Sequence, residues 1–546
     1  MAQPSYARGA DTPALLDETI GDNLHRTALE HGDRDALCVP HQGVRLTWTE
    51  LDALARRAAR GLMALGVNKG DRVGLWSPNR YEWVVIQYAT AYAGAILVNL
   101  NPAYKSTELA YSLVHAQVSV LFTARAFRLS PFAEMVREVR DRCPHLREVL
   151  VLEDDWARLL AAGDAIPEHA LEERRRSLCP DDAINIQYTS GTTGSPKGAT
   201  LSHRNILNNG YMMGQWLRYT PDDRVCLPVP FYHCFGMVMG NLACSTHGAC
   251  IVAPSEAFDP EAVLRAVAEE RCTSLYGVPT MFIAVLDHPR FAEFDVSSLR
   301  TGIMAGSPCP TEVMKRVLTE LHMPEVTIGY GMTETSPVSV QTAVDDPLDK
   351  RVGTVGRVHP HVEIKIVDPD SGAVLPRGQK GELCTRGYSV MRGYWENTDA
   401  TADAIDAEGY MHSGDLATMD EAGYVNIVGR IKDMIIRGGE NIYPREVEEY
   451  LHTHPAVSDV QIIGVPSAKY GEEVMAWLRL RPGMSTDETA LDAYCRGQIA
   501  TYKIPRYWKL VDEFPLTVTG KIQKYKLREL AIVELGLQSE AAIRTA

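Results

Sequence analysis

Between Leu51 and about Val355 the chain alternates amphipathic stretches of helical period with apolar runs too short for helices. The stretch Leu51-Asp-Ala-Leu-Ala-Arg-Arg-Ala-Ala-Arg-Gly-Leu62 repeats apolar residues three and four apart, which predicts a helix ending near Gly66. Arg72-Val-Gly-Leu-Trp76 then predicts a short strand. The pattern returns over 262–270 (helix) before Ser274-Leu-Tyr276 (strand), and over 312–321 (helix) before Val326-Thr-Ile328. Repeated helix and strand of this kind predict an α/β fold of parallel sheets covered by helices. Trp83–Leu100 carries no charge but includes Gln87, Tyr88, Thr90, Tyr92 and Asn99. A membrane span needs about 20 predominantly apolar residues, so this stretch reads as a buried helix running into a core strand.

From about Val355 the texture changes to short strands and polar turns, as in Glu363-Ile-Lys-Ile-Val367, Asp368-Pro-Asp-Ser-Gly372 and Gly423-Tyr-Val-Asn-Ile-Val428. These predict a small antiparallel β unit. The charged tripeptide in Gly429-Arg-Ile-Lys-Asp433 marks a boundary. At 546 residues the chain exceeds one ordinary core. The expected division is 1–429, a large domain of two helix-covered sheets plus the β unit; 430–432, a hinge; and 433–546, a smaller, mobile α+β domain.

The formal charge of −15 supplies no field to draw in nucleic acid or an anionic membrane, which disfavours both as partners. Against that background, residues 503–528 hold seven basic side chains and only Asp512 and Glu513, a surface that either faces a polyphosphate or is simply solvated. Eleven cysteines, without a Cys-x-x-Cys pair or a zinc-type Cys/His cluster, fit reduced, mostly buried thiols. The start Met-Ala-Gln-Pro-Ser-Tyr lacks the pattern of a secretory signal, so a soluble cytoplasmic protein is expected, with no transmembrane segment.

The strongest local signal is Tyr188-Thr-Ser-Gly-Thr-Thr-Gly-Ser-Pro-Lys-Gly198, which follows the strand-like Ala183-Ile-Asn-Ile186. Glycines let several backbone N–H groups converge on one anion, Ser190, Thr192 and Thr193 add hydroxyl donors, and Lys197 adds a point charge. This is the chemistry of a phosphate clamp. Pro196 stands where a Walker loop needs glycine before its lysine, so an ordinary P-loop NTPase is disfavoured.

The segment resembles the phosphate-loop signature of the adenylate-forming superfamily, which includes acyl-CoA synthetases, peptide-synthetase adenylation domains and beetle luciferases. Tyr330-Gly-Met-Thr-Glu-Thr335, Ser413-Gly-Asp415, Gly429 through Pro444 and Thr519-Gly-Lys521 follow in that family's order and approximate spacing. The resemblance covers about residues 25–530. It is closest to the medium-chain fatty acyl-CoA synthetase branch, through Leu201-Ser-His-Arg-Asn205 and Gly520-Lys-Ile-Gln-Lys-Tyr-Lys-Leu-Arg528. Ser413 stands where the family more often has Thr and keeps the hydroxyl.

The resemblance implies ATP, Mg²⁺ and CoA as cofactor and co-substrates, and an AMP-forming reaction in two steps. For the first step it implies that Thr189, Ser190, Gly191, Thr192, Thr193, Gly194 and Lys197 hold the β- and γ-phosphates. Glu334, with Thr189, would bind the metal. Ala305, Gly306 and Ser307 would meet the adenine edge, Tyr330, Gly331 and Thr333 would line the nucleotide site with the Tyr330 ring stacking, and Asp415 and Arg430 would hold the ribose. Lys521 would reach the acyl carboxylate and α-phosphate, while Lys524 and Lys526 stay solvated. For the second step the small domain would turn about Lys432 and bring the Gly438-Gly439 turn to the pantetheine chain. His233 would gate the junction of acid and thiol. Taken alone, Tyr330 reads as core, His233 as structural, Asp415 as a turn residue, and Gly438-Gly439 as a tight hairpin.

The acyl wall implied by the family is Phe235 through Thr246 with Tyr276 through Thr280, and includes His233, Phe235, Met237, Gly240, Tyr276 and Gly329. It holds no cation for a second carboxylate, and the flexible Met237 and Met239 suit a medium-chain, branched or bulky polycyclic acid. An α-amino acid is disfavoured, since Asp259 reads as a turn residue in Phe-Asp-Pro. Three alternatives stay open: transfer to an acyl carrier protein instead of CoA, a nucleotide-binding protein without activity, and a carboxylate kinase that would make ADP. A homo-oligomer is compatible with the sequence.

Overall fold

The computed structural model describes residues 3–189, 196–438 and 440–541. Two large sheets carry the first part of the chain. One has seven strands, whose parallel centre is Arg72–Trp76, Ile96–Asn99, Val118–Thr123, Glu148–Val151 and Ala183–Thr189. Lys197–Ser202 and Gly393–Tyr394 extend it antiparallel at one edge. The other has nine strands, with a parallel centre from Asp35–Val39 to Glu325–Gly331 and antiparallel strands at both margins.

One apolar core joins residues of both sheets (Val73, Leu97 and Phe122 with Leu37, Val225 and Ile303) through the helices Trp48–Ala64, Tyr81–Ala93 and His203–Trp216. The first of these helices begins where Thr47 and Glu50 cap each other: the Glu50 N–H donates to Thr47 Oγ1 at 3.2 Å, and the Thr47 N–H donates to Glu50 Oε2 at 2.8 Å. The uncharged stretch from Trp83 is a helix buried on every side, followed by the central strand Ile96–Asn99. An all-round apolar helix must be covered by protein or lipid, and here both sheets cover it. No helix among the described residues is long and apolar enough to cross a membrane. Asp259 caps the helix Pro260–Glu270, accepting the Ala262 N–H at 2.7 Å.

The small β unit is an antiparallel sheet of Val362–Val367, Gly381–Gly387, Met411–Met419 and Val425–Arg430, with Tyr6–Arg8 added at its edge. That N-terminal strand has no readable signal, because three residues show no period; Val362–Val367 supplies its pairing. The chain leaves this sheet at Arg430, passes the short turn Ile431–Asp433 and enters a different sheet at Ile435–Arg437. The second sheet packs against Pro444–His452 and Lys524–Glu534 around apolar clusters of its own.

All eleven cysteines are free, and all but Cys179 are buried. The basic stretch 503–528 is largely spent on ion pairs inside the C-terminal region: Lys503 with Glu446, Lys509 with Glu534, and Arg528 with Glu472. The expectation that Lys524 is solvated is corrected. Its Nζ lies 2.6 Å from Oε1 of buried Glu448, the same oxygen that accepts the Ile462 N–H at 2.9 Å. A sequence cannot show that a helix-borne lysine meets a carboxylate buried 76 positions earlier.

Lys524→Ala leaves the Glu448 carboxylate buried without its cation and is expected to cost about 2 kcal/mol, whereas Lys526→Ala stays within about 0.5 kcal/mol. Urea unfolding followed by tryptophan fluorescence compares the two. Equal effects would contradict the pairing.

Candidate active site

Four groups of side chains converge on the C-terminal ends of the central strands, where open α/β sheets place their ligands. The first is built by a bulge. Opposite Glu382 and Cys384, which one residue separates, the facing strand carries three between Leu416 and His412: Ser413, Gly414 and Asp415. Gly414 takes φ +69° there, a left-handed conformation natural to glycine. Ser413 Oγ donates to the Leu383 carbonyl at 2.6 Å and accepts the Asp415 N–H at 3.1 Å, and the Gly414 N–H donates to Glu382 Oε1 at 2.9 Å. Asp415 is thereby aimed at Tyr330, whose hydroxyl donates to Asp415 Oδ2 at 2.7 Å, and at Arg430, 3.4 Å away on the paired strand. Burial raises the Asp415 carboxyl above its usual range, against the lowering pull of Arg430 and Tyr330.

Tyr330 ends the strand Glu325–Gly331, where the register shifts between Tyr330 and Gly331. A β-carbon on Gly331 would stand 1.8 Å from the Pro337 carbonyl oxygen, so only glycine admits the close return of the chain. The buried Thr333, Glu334 and Thr335 follow.

The second group surrounds Glu334. Thr189 Oγ1 and the Tyr394 hydroxyl both donate to Glu334 Oε1, at 3.2 and 2.9 Å, and the Lys197 ammonium sits over the Tyr394 ring at 5.1 Å. Ser190, Gly191, Thr192, Thr193 and Gly194, read from the sequence as the phosphate loop, lie outside the described residues, as does Gly439.

The third group is Lys521. Its turn closes on Thr517, whose Oγ1 accepts the Lys521 N–H at 3.0 Å and whose N–H donates to the Lys521 carbonyl at 2.7 Å, with Gly520 at φ +80°. Thr280 Oγ1 donates to the Gly520 carbonyl at 3.0 Å and ties the turn to the large sheets. Lys521 lies over the turn that follows Thr301–Ala305: a β-carbon on Gly306 would meet Lys521 Cε at 3.3 Å. Ala305 is buried there, and Ser307 is half-buried beside it. Burial pulls the Lys521 ammonium below its usual value; Cys234 raises it again, Arg430 lowers it, and Asp415 and Glu334 raise it.

The fourth group begins at His233, whose Nδ1 accepts the Phe235 N–H at 3.0 Å and so caps the short turn after it. With Nδ1 accepting, the ring's proton belongs on Nε2. Burial, reinforced by Lys521, pulls His233 down to about 3, so the ring stays neutral at physiological pH. Cys234 Sγ lies 3.7 Å from Thr333 Oγ1, and burial pushes its thiol up to about 11. Phe235 packs on Tyr276 with ring centres 5.8 Å apart. Met237 opens a π-helical stretch and its sulfur accepts N–H groups from Asn99 at 3.0 Å and Gln187 at 3.3 Å. At Gly240 a β-carbon would strike Leu227 at 2.6 Å, and at Gly329 one would strike Ile303 at 2.7 Å, with Met239 Cε at 3.9 Å.

Two expected residues lie apart from these groups. Lys432 is exposed in the turn Ile431–Asp433, and Gly438, at φ +61°, donates its N–H to the Tyr470 carbonyl at 2.8 Å in the hairpin of Ile435–Arg437 and Glu440–Ile442. Sequence reasoning missed Tyr394 and Glu382, and it put Thr280 in the acyl wall rather than on the Lys521 turn. Tyr394 lies next to a tryptophan in a Gly-Tyr-Trp run that reads as core, and no local pattern shows that its hydroxyl reaches Glu334.

Gly306→Ala puts a methyl against Lys521 and Val278 at φ +88°. It is expected to cost about 1–2 kcal/mol and to speed amide hydrogen exchange over 515–523. Unchanged exchange there would mean that the Lys521 turn does not rest on Gly306.

The profile of the AMP-binding enzyme family matches residues 24–395, and that of the AMP-binding enzyme C-terminal domain matches residues 446–521. YngI of Bacillus subtilis (strain 168), an acyl-CoA synthetase by name, is 48% identical over 545 residues, covering 96% of this chain and 99% of its own. The mitochondrial medium-chain acyl-CoA ligase ACSF2 of Danio rerio is 43% identical over 98% of this chain and 91% of its own. Among solved structures, the anthranilate CoA ligase AuaEII in complex with anthranoyl-AMP superposes with a TM-score of 0.84 at 26% identity, over 96% of this chain and 99% of that one. A family match across most of the chain, with relatives above 40% identity along nearly its whole length, settles its membership: this chain belongs to the AMP-binding enzyme family.

Proposed function

We propose that the chain is an AMP-forming acyl-CoA synthetase that activates an apolar, medium-chain carboxylic acid as its acyl-adenylate and passes the acyl group to CoA. One observation carries this reading: Lys521, from the C-terminal region, stands over Gly306 in the field of Asp415 and Glu334, with the neutral His233 beside it. That supports reading Lys521 as the cation between two anions, a carboxylate and the α-phosphate of ATP.

In the first step a carboxylate oxygen attacks the α-phosphorus and pyrophosphate leaves. The face of Tyr330 supports the adenine beside Ala305, Gly306 and Ser307, while Gly331 and Thr333 shape the turn beneath it. Asp415 accepts the ribose hydroxyls and Arg430 adds a second contact. Lys197 and the loop 190–195 take the β- and γ-phosphates. Glu334 and Thr189 offer hard carboxylate and hydroxyl oxygens, a donor set that fits Mg²⁺. Bound there, Mg²⁺ would neutralise charge on the polyphosphate. Lys521 donates to the developing charge between acid and phosphorus, an interaction needed in this step alone.

In the second step the CoA thiolate attacks the acyl carbon and AMP departs. Residues 433–546 act as a separate unit that turns about Lys432, withdraws Lys521 and presents the Gly438-Gly439 turn to pantetheine. His233, Phe235, Met237, Gly240, Tyr276 and Gly329 wall the acid. Their apolar character, and the medium-chain specificity in the name of the ACSF2 relative, favour a fatty acid over a diacid.

Product analysis with ATP, Mg²⁺ and a panel of fatty, branched and polycyclic acids tests the reading. AMP, pyrophosphate and acyl-CoA are expected, best with medium chains. ADP would identify a kinase, and acyl-AMP that persists in the presence of CoA would point to a carrier protein as acceptor. Lys521→Ala should cost about 10²–10³ in adenylation rate and spare thioester formation from supplied acyl-AMP; equal loss in both would sink the division of labour. Because Lys521 must be protonated and its pKa lies below the usual 10.5, adenylation should fail on the alkaline side as pH rises through that lowered value. In Lys521→Arg, whose guanidinium keeps its proton, the alkaline limb should disappear.

A further inference from the structure

A second cluster lies on the small β sheet, beside the Ser413–Asp415 bulge. Lys365, Cys384 and His412 are cross-strand partners in one row over three strands. Cys384 is fully buried, and its Sγ lies 3.5 Å from His412 Nδ1. Glu382 Oε2 lies 2.8 Å from the same nitrogen. The three ligand atoms all fall within 4.8 Å of one another. On the other side of the ring, Asp406 Oδ2 stands 3.6 Å from His412 Nε2.

Acceptor groups face both ring nitrogens, yet a neutral imidazole carries a single N–H. A carboxylate oxygen only accepts, so at 2.8 Å from Glu382 Oε2 it is Nδ1 that carries the proton in the ion-free protein; moved to Nε2, which faces Asp406, that proton would leave the Nδ1 lone pair, the Cys384 sulfur and a Glu382 oxygen for one ion. Zinc–sulfur and zinc–nitrogen bonds of about 2.3 and 2.0–2.1 Å at a tetrahedral angle put S and N about 3.5 Å apart, which matches the observed separation. The Glu382 oxygen would retreat by about 0.5 Å to give the corresponding oxygen–nitrogen distance. Asp406, 3.6 Å from Nε2, would have to close on the ring by about 0.7 Å to become the outer carboxylate that orients a metal-bound histidine. The nearby cations are already paired: Lys365 is held by Asp406 at 3.3 Å and Glu408 at 2.9 Å and packs on the Tyr410 ring, and Arg386, on the same ring, is held by Glu363 at 2.6 Å. The His412 side chain is 31% exposed and offers the entry path.

We propose that Glu382, Cys384 and His412 form a binding site for one borderline divalent cation of the zinc or cobalt class, with Asp406 as the positioning residue. Sulfur and imidazole ligands select such ions over the hard Mg²⁺, so the site is chemically separate from Glu334 and Thr189. Binding would release the thiol proton to solvent. Glu382 would hold the ion through Oε2 while Oε1 keeps the Gly414 N–H, which links the ion to the turn that aims Asp415.

The test is a titration of the full-length protein with Co²⁺ in excess Mg²⁺, read by absorption and by equilibrium dialysis. One equivalent is expected, with a near-ultraviolet thiolate-to-cobalt band. Cys384→Ser should lose that band although ten other cysteines remain, and Asp406→Asn should bind about 10–100-fold more weakly. Absence of the band in the wild type, or its survival in Cys384→Ser, overturns the proposal. Circular dichroism verifies folding, and if Cys384→Ser does not fold, His412→Gln at the half-exposed ligand gives the same reading.

Discussion

An ammonium group taken partly out of water must be answered by opposite charge, or it loses its proton or leaves. Lys521 is in that position, and much of the site can be understood as the conditions that keep it there. Gly306 leaves room for its stem, Thr280 fastens its turn, and Asp415 and Glu334 supply field without a close ion pair. The answer is incomplete: burial pulls Lys521 down and pushes Asp415 up, so each charged form is less favoured here than it is in water. Groups poised like this mark sites where a ligand completes the electrostatics. In the proposed reaction, ATP and a carboxylate would bring the hydroxyls and anions that both residues lack.

The same economy explains the backbone. Asp415 could not point away from its sheet if the strand were regular. Two extra residues opposite Glu382–Cys384 supply the turn, Gly414 supplies the conformation, and Ser413 and Glu382 absorb the N–H and C=O groups that the broken ladder would leave bare. Gly331 does the corresponding work for Tyr330, where the chain returns too close for any side chain.

What the sequence shows and what it hides follow from range. Helix period and short apolar runs are local, so the helices at 48–64, 260–270 and 311–320 and their following strands are legible within a few residues. The Ser413-Gly-Asp415 turn and Lys521 are legible because they are compact motifs in a family order. The strand Tyr6–Arg8, the Tyr394 hydroxyl on Glu334 and the Lys524–Glu448 pair are not. Each exists only because the fold brings together residues far apart in the chain, and none carries a pattern of its own. The basic stretch 503–528 teaches the converse: a local charge excess in the sequence dissolves into separate ion pairs once the partners are placed.

Apart from Val518, which packs against the large core, much of the boundary between the two parts of the chain consists of polar contacts that water can replace. Across it Thr280 donates to the Gly520 carbonyl, and Arg445 Nη1 donates to the Ile427 carbonyl at 2.5 Å. A cleft of about 510 Å³, lined by Thr311, Lys380, Arg445, Glu446, Glu449 and Lys503, keeps much of this boundary polar and open. Each part has its own apolar clusters, so neither needs the other to bury its core. Interfaces of this kind resemble transient ones. Separating them exchanges hydrogen bonds with protein for hydrogen bonds with solvent, at a net cost of about 0.5–1.5 kcal/mol each. The proposed two-step reaction, which would need Lys521 present for one step and absent for the next, asks for such a boundary: strong enough to hold the lysine over Gly306 while two anions reward it, and weak enough to release it afterwards.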